Sequence, residues 1–271
     1  MILSARVIRP SSRNRLPSLI AQRFVFDDND RIKNDTGTMH KHKGFVPCHR
    51  EFHATARNFF SAKNSDLLVV LDMDECLIHS RFHSQNVDYR QHESRPDELD
   101  NTSGIENFTL ELEDGELVTV NKRPGLDKFI RKVSERWETY IFTAAMSSYA
   151  SPVLSYLDPD DDIFSERFFR ESCTIDEDRG VYVKDLTKII SDDRDLKRCV
   201  LVDNNPLSFL AQPRNGILVS NFYDDVDDDT LPAVYKLLDV LDNDDDCRIR
   251  LNELFGLSEA LEDCYPAKKK R

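Results

Sequence analysis

Leu67-Leu68-Val69-Val70-Leu71-Asp72-Met73-Asp74-Glu75-Cys76-Leu77-Ile78-His79-Ser80 is the stretch that decides the fold. Five apolar residues run without interruption into two aspartates one residue apart. A short continuous apolar run reads as a strand buried on both faces, as in a parallel sheet. In open α/β sheets the chemistry lies just beyond the carboxyl ends of the strands. Asp72 and Asp74 therefore stand where a strand hands over to a loop, and period-2 geometry sends both side chains to roughly the same side. Carboxylates so placed suit a magnesium ion, proton transfer, or both. Taken alone, the spacing reads equally as two solvated turn aspartates ahead of a helix.

Downstream, strand and helix signals alternate, which is the pattern of a doubly wound α/β domain with a parallel sheet. Pro124 opens a helix over 125–137 with Leu126, Phe129, Ile130 and Val133 on its inner face. A strand follows from Glu138, ending at Thr143, and a helix continues through Tyr156. Arg198–Asp203 is an apolar strand ending in an acid, followed by Asn204, Asn205 and Pro206. Gly216–Ser220 is a further short strand, and helices are expected over Leu231–Leu241 and about Cys247–Phe255. Before them, Phe108–Val120 alternates and turns at Asp114-Gly115, a hairpin signal. It lies after the first strand, where a substrate-covering insertion fits. Residues 80–104 are polar and show no periodicity.

Three strand ends now carry polar residues: Asp72 with Asp74, Thr143, and Asp203 with Asn204. Lys184 lies between the last two, in Val181-Tyr182-Val183-Lys184-Asp185-Leu186. Each has a plain reading of its own: Thr143 as a strand terminus, Lys184 as a surface lysine, Asp203–Pro206 as a turn. In this order on successive buried strands they form a phosphoryl-transfer set. A carboxylate nucleophile needs cations to bring a phosphate dianion close, and magnesium and a lysine supply them. A hydroxyl positions the phosphoryl oxygens, and a second carboxyl group protonates the departing alkoxide.

The stretch Leu71–Ser80 resembles the D-x-D-x-T/V signature of the haloacid dehalogenase superfamily. More narrowly, it is similar to the small RNA-polymerase-CTD-phosphatase branch (NLI-interacting-factor-like, dullard-type). The resemblance continues through Lys122–Gly125, Phe142–Ala145, Phe169–Cys173, Tyr182–Leu186 and Val202–Pro206, over roughly residues 65–255. It implies a haloacid-dehalogenase-like sheet with a small β-hairpin insertion and a magnesium-dependent protein serine/threonine phosphatase. It further implies Asp72 as the nucleophile forming an aspartyl-phosphate and Asp74 as the general acid/base. Magnesium would be held by the Asp72 carboxylate, the Asp74 backbone carbonyl and the Asn204 side chain. Thr143 and Lys184 would bind the phosphoryl group, with Asp203 orienting Lys184. Cys76 stands where the signature usually has Thr or Val, and the expectation is a buried thiol filling threonine's volume. A redox-sensitive thiol is the alternative.

The 271 residues fit one catalytic domain with extensions, read as a basic segment 1–64, a phosphatase domain 65–256 and a basic-ended tail 257–271. Residues 1–65 carry 12 Lys/Arg against 5 Asp/Glu, whereas the remainder carries 25 against 45. The acidic body argues against nucleic-acid binding, which needs a basic face. Six scattered cysteines without a C-x-x-C pair indicate a reducing compartment rather than a zinc ribbon or disulfide framework. All seven histidines lie from His40 to His92, so no histidine after His92 is available to a Ser-His-Asp triad. There is no Walker loop and no G-x-G-x-x-G, and no apolar run approaches the length of a membrane span.

Residues 1–26 hold five arginines and four serines with no acid, the composition of a mitochondrial presequence. The expected location is mitochondrial; the alternative is nuclear, from Lys268-Lys269-Lys270-Arg271. The expected partner is a phosphoprotein substrate. A competing reading makes the chain a mitochondrial translocase receptor that binds presequences, with the import machinery as its partner. Such receptors usually carry a membrane span and often lack the aspartate pair present here. A phospho-accepting receiver shares the Asp/Thr/Lys logic but does not explain Asp74 or the insertion.

Overall fold

The computed structural model describes residues 65–83 and 104–265. The Arg-rich segment, residues 84–103 and the Lys268–Arg271 run lie outside the described residues.

The opening apolar run forms β1 (Leu68–Leu71), whose four residues are all buried. It pairs in parallel on one side with β5 (Glu138–Phe142) and on the other with β9 (Cys199–Asp203). Beyond these lie β6 (Glu166–Phe168) and β10 (Gly216–Leu218), giving a five-stranded parallel sheet in the order β10-β9-β1-β5-β6. The continuous apolar strands match this topology, because a central parallel strand is covered on both faces. Burying each Val or Leu contributes roughly 1.5–3 kcal/mol. The chain leaves β1 toward β5 and β6, then returns to build β9 and β10 on the opposite side. The strand order therefore reverses between β1 and β9, where open α/β sheets form their crevice.

The helices carry their apolar residues into the same core. In α1 (Leu126–Arg136), Leu126, Phe129, Ile130 and Val133 are buried, as the periodicity requires. In α2 (Ser147–Leu157), Ala150, Val153, Leu154 and Leu157 are buried, and α3 (Thr230–Leu241) buries Leu231, Val234, Leu237, Leu238 and Leu241. Then α4 (Cys247–Phe255) ends at Gly256, whose φ of 54° turns the chain directly into α5 (Leu257–Cys264). Residues 257–264, read from sequence as the start of a tail, thus form a helix whose Leu257 and Leu261 belong to the core. This is the α/β architecture expected from the strand–helix alternation.

The insertion is larger than the expected hairpin. Its two strands, β3 (Asn107–Glu111) and β4 (Leu117–Lys122), turn where expected, with Gly115 at φ 82°. A third strand, β2 (Ile78–His83), pairs antiparallel with β4 along its whole length. This strand lies partly in the stretch without periodicity. Only Ile78 in it is buried, so it carries no apolar alternation to read. A separate ribbon of β7 (Thr174–Asp176) and β8 (Val181–Val183) delivers Lys184 directly after its second strand.

Candidate active site

β1 stops at Leu71, so strand alternation does not extend to Asp74. A tight loop sets the two aspartates instead. The Met73 carbonyl accepts from the backbone N–H groups of Leu77 and Ile78, at 2.9 and 3.1 Å. Glu75 takes a left-handed φ of 55°, its N–H bonded to the Ile78 carbonyl and its own carbonyl accepting from Phe222 N. A non-glycine residue in that region persists only where the surroundings hold it. Much of the holding comes from Arg123, which is fully buried. Its guanidinium donates to the Cys76 carbonyl at 2.8 Å and the Ser220 carbonyl at 3.1 Å, and forms a two-pronged pair with Asp228 at 2.8 and 2.7 Å. The planar five-donor guanidinium suits this task.

Asp72 sits at the reversal of strand order, and its backbone N–H donates to the Val202 carbonyl at 2.9 Å. Continuing the β1–β9 register by one residue sets it beside Asp203. Lys184 is 2% exposed and lies between them, donating to Asp203 Oδ2 at 2.6 Å and to Asp72 Oδ1. Burial alone would lower the pKa of this ammonium, but Asp203 and Asp72 overcome that and hold it above its ordinary value. Asp72 moves upward through burial and the Asp203 charge, with Lys184 pulling the other way. One ammonium between two buried carboxylates leaves the group short of positive charge.

Asn204 occupies the far side of Asp72. Its side-chain oxygen faces Asp72 Oδ2 at 3.1 Å and the Asp74 backbone carbonyl at 3.2 Å, while Nδ2 donates to Asn221 Oδ1 at 3.1 Å. Turning the amide over would place a donor between the two oxygens. In the orientation that presents oxygen, the Asn204 oxygen faces Asp72 Oδ2 and the Asp74 carbonyl with no side-chain donor between them, a contact that calls for a cation. Octahedral magnesium at about 2.0–2.1 Å sets neighbouring ligand oxygens roughly 3 Å apart. Asp72, the Asp74 carbonyl and Asn204 therefore fit that ion, and its charge suits the shortage.

Thr143 is buried one residue past the end of β5, its backbone N–H paired to the Phe168 carbonyl at 2.9 Å. Its hydroxyl accepts from Ala145 N–H at 3.0 Å, which leaves the hydroxyl proton for another acceptor. Arg170 fixes the same loop through the Ala144 carbonyl at 2.6 Å. Asp74 has its Oδ1 against the Tyr149 hydroxyl at 2.6 Å. Burial pushes the Asp74 carboxyl up to about 6, the Tyr149 bond lowering it somewhat. Burial and the adjacent Asp74 raise the Tyr149 phenol far above its ordinary value, so it remains a donor.

The structure thus gathers Asp72, Lys184, Asp203, Asn204 and the Asp74 carbonyl, and sets Thr143 at the neighbouring strand end. Cys76 is buried, its Sγ against the Val202 carbonyl at 3.8 Å, and burial raises its thiol well above the usual range. That is the space-filling thiol expected, since a reactive cysteine needs access and a lowered pKa. Sequence reasoning assigned no role to Tyr149, Arg123 or Asn221. Arg123 lies in the quoted Lys122–Gly125 block, which was a usable signal; the other two had none. Among the described residues, no helix is long and apolar enough to cross a membrane.

The model of the NLI interacting factor-like phosphatase family matches residues 67–248. A "Probable C-terminal domain small phosphatase" of Dictyostelium discoideum is 39% identical over 68% of this chain and 54% of its own length. The "Carboxy-terminal domain RNA polymerase II polypeptide A small phosphatase 2" of Mus musculus is 34% identical over 69% of this chain and 62% of its own. The corresponding small phosphatase 1 of Homo sapiens is 31% identical over 90% of this chain and 85% of its own. The chain spans 54% and 62% of the length of the first two relatives.

Proposed function

The chain belongs to the NLI interacting factor-like phosphatase family, and from that membership and the site geometry we propose that it is a magnesium-dependent protein serine/threonine phosphatase working through an aspartyl-phosphate on Asp72. The observation that carries this reading is the buried grouping of Asp72, Lys184 and Asp203, with half-buried Asn204 beside it, where the strand order reverses. A carboxylate gripped by an ammonium on one oxygen is oriented, and its other oxygen borders the cation position. Exposed Phe82 packs against Tyr149 at 5.2 Å and exposed Met146 caps the same helix, so apolar surface borders the site and suits the side chains of a peptide.

In the first step an Asp72 oxygen attacks phosphorus, forming the Asp72–phosphorus bond as the bond to the serine or threonine oxygen breaks. Asp74 gives its proton to that departing oxygen, which suits a carboxyl raised to about 6. In the second step water attacks phosphorus, Asp74 takes the water proton, and the Asp72 carboxylate leaves as inorganic phosphate forms. Lys184 neutralises charge on the phosphoryl oxygens, Asp203 holds Lys184 in place, and Thr143 offers its hydroxyl proton to one of those oxygens. Magnesium, when bound, offsets the repulsion between the phosphate dianion and the Asp72 carboxylate.

Hydrolysis of p-nitrophenyl phosphate and a phosphoserine peptide by the full chain, with and without magnesium, tests the proposal. Asp72→Asn should abolish turnover with the fold intact, because an amide does not attack phosphorus. Undiminished hydrolysis by Asp72→Asn would sink the mechanism. The alternative of a presequence-binding receptor finds no support in the relatives described.

A further inference from the structure

Tyr149 stands in the first turn of α2, its hydroxyl 2.6 Å from Asp74 Oδ1 and 2.5 Å from Ser80 Oγ on β2. A phenol has one proton, so it can donate to only one of these oxygens. With Asp74 as the acceptor, Ser80 must donate to the phenol, and the three groups form a directed chain, Ser80 to Tyr149 to Asp74. The ring is braced by Phe82 at 5.2 Å, also on β2. Ser80 and Phe82 therefore hold one side chain from the same strand, and β2 is fixed in register by its pairing with β4.

The consequence falls on the free oxygen of Asp74. With Oδ1 occupied as an acceptor, the acidic proton can reside only on Oδ2, and the carboxyl plane is set by the Tyr149 contact. We propose that Tyr149, oriented by Ser80, is the positioning residue that aims the Asp74 carboxyl at the leaving oxygen. This rests on the phosphatase reading above. It also gives the third strand of the insertion a task in the chemistry besides shaping a groove. The proton passes from Asp74 Oδ2 to the departing oxygen as the phosphorus–oxygen bond breaks, and Tyr149 keeps its own proton throughout.

A misaimed acid harms departure of a poor leaving group far more than a good one, whereas loosened packing harms both alike. The test compares kcat/KM of the full chain on phenyl phosphate and p-nitrophenyl phosphate. These share a shape and differ in how much protonation the departing oxygen needs, and kcat/KM reports the step in which that oxygen leaves. General acid catalysis contributes about 10²–10⁴-fold. Tyr149→Phe keeps the ring and should lose roughly 10- to 100-fold on phenyl phosphate but only a few-fold on p-nitrophenyl phosphate. Ser80→Ala should show the same pattern more weakly, and Ser80→Thr, which keeps a hydroxyl, should recover most of it. Should Tyr149→Phe lose its circular dichroism spectrum, the Ser80 pair decides alone. Equal losses on the two substrates in an active enzyme would overturn the role of Tyr149 while leaving the phosphatase reading in place. A wild type inactive on both would overturn the two together.

Discussion

Replacing Lys184 by Met keeps a long apolar stem in the core while removing the ammonium between Asp72 and Asp203. Both carboxylates are buried and both bond to Lys184. Removing one partner of a buried ion pair costs about 3–5 kcal/mol, because the stranded charge keeps its desolvation penalty. In a domain of this size about 1 kcal/mol moves Tm by roughly 2–4 °C, so a drop of about 6–20 °C is expected at neutral pH. The pH dependence has a definite sign. Without the ammonium, the folded-state pKa of Asp72, already raised by burial, moves further above its unfolded value. The folded chain then binds more protons than the unfolded one, and stability falls as pH rises through that window. The deficit should be large at pH 7 and shrink toward pH 4, as Asp72 of the folded chain takes up its proton and ceases to be a stranded charge. In the wild type the Lys184 pKa is raised, so its stabilisation is complete below about 10.5 and is lost only as pH climbs above that. Thermal melts followed by circular dichroism in chelator, from pH 4 to 8, measure this directly. A second substitution, Asp72→Asn in the Lys184→Met background, removes one stranded carboxylate and should recover part of the loss. A deficit under about 1 kcal/mol at pH 7, or one equal at pH 4 and pH 7, would refute the electrostatic account.

The Asp74 carboxyl, raised to about 6, must be protonated to act as the acid; kcat/KM on phenyl phosphate should therefore decline as pH rises through about 6, and a flat profile from pH 5 to 8 would count against it. Asp74→Asn should lose turnover yet still bind magnesium by titration calorimetry, since its proposed ligand is a backbone carbonyl; loss of binding would mean that the carboxylate itself is needed. Cys76 is buried with a raised pKa, so mild peroxide should affect wild type and Cys76→Thr alike, and selective protection by the substitution would reveal an accessible thiol. A fluorescent reporter fused behind residues 1–65 should enter mitochondria if the Arg-rich, acid-free composition acts as a presequence; a diffuse or nuclear reporter would reject that reading.

Much of the frame was legible in the chain itself. The runs Leu68–Leu71 of β1 and Cys199–Val202 of β9 are apolar without interruption, and β5 closes on Tyr140-Ile141-Phe142, because central parallel strands are covered on both faces, and that condition is written locally. Asp72, Thr143 and Asp203 were found because chemistry in such sheets follows the last apolar residue of a strand. The three-residue strands β6, β7 and β8 were too short to show a period, and β2 has one buried residue and so no alternation. The tertiary structure alone decided which polar groups meet. Tyr149 reaches Asp74 across 75 residues, Lys184 reaches Asp72 across 112, and Arg123 reaches Asp228 across 105. Local periodicity reports how one segment faces the core. The partner of a polar side chain depends on strand order and register, which bring distant segments to the same rim only after the whole sheet has formed.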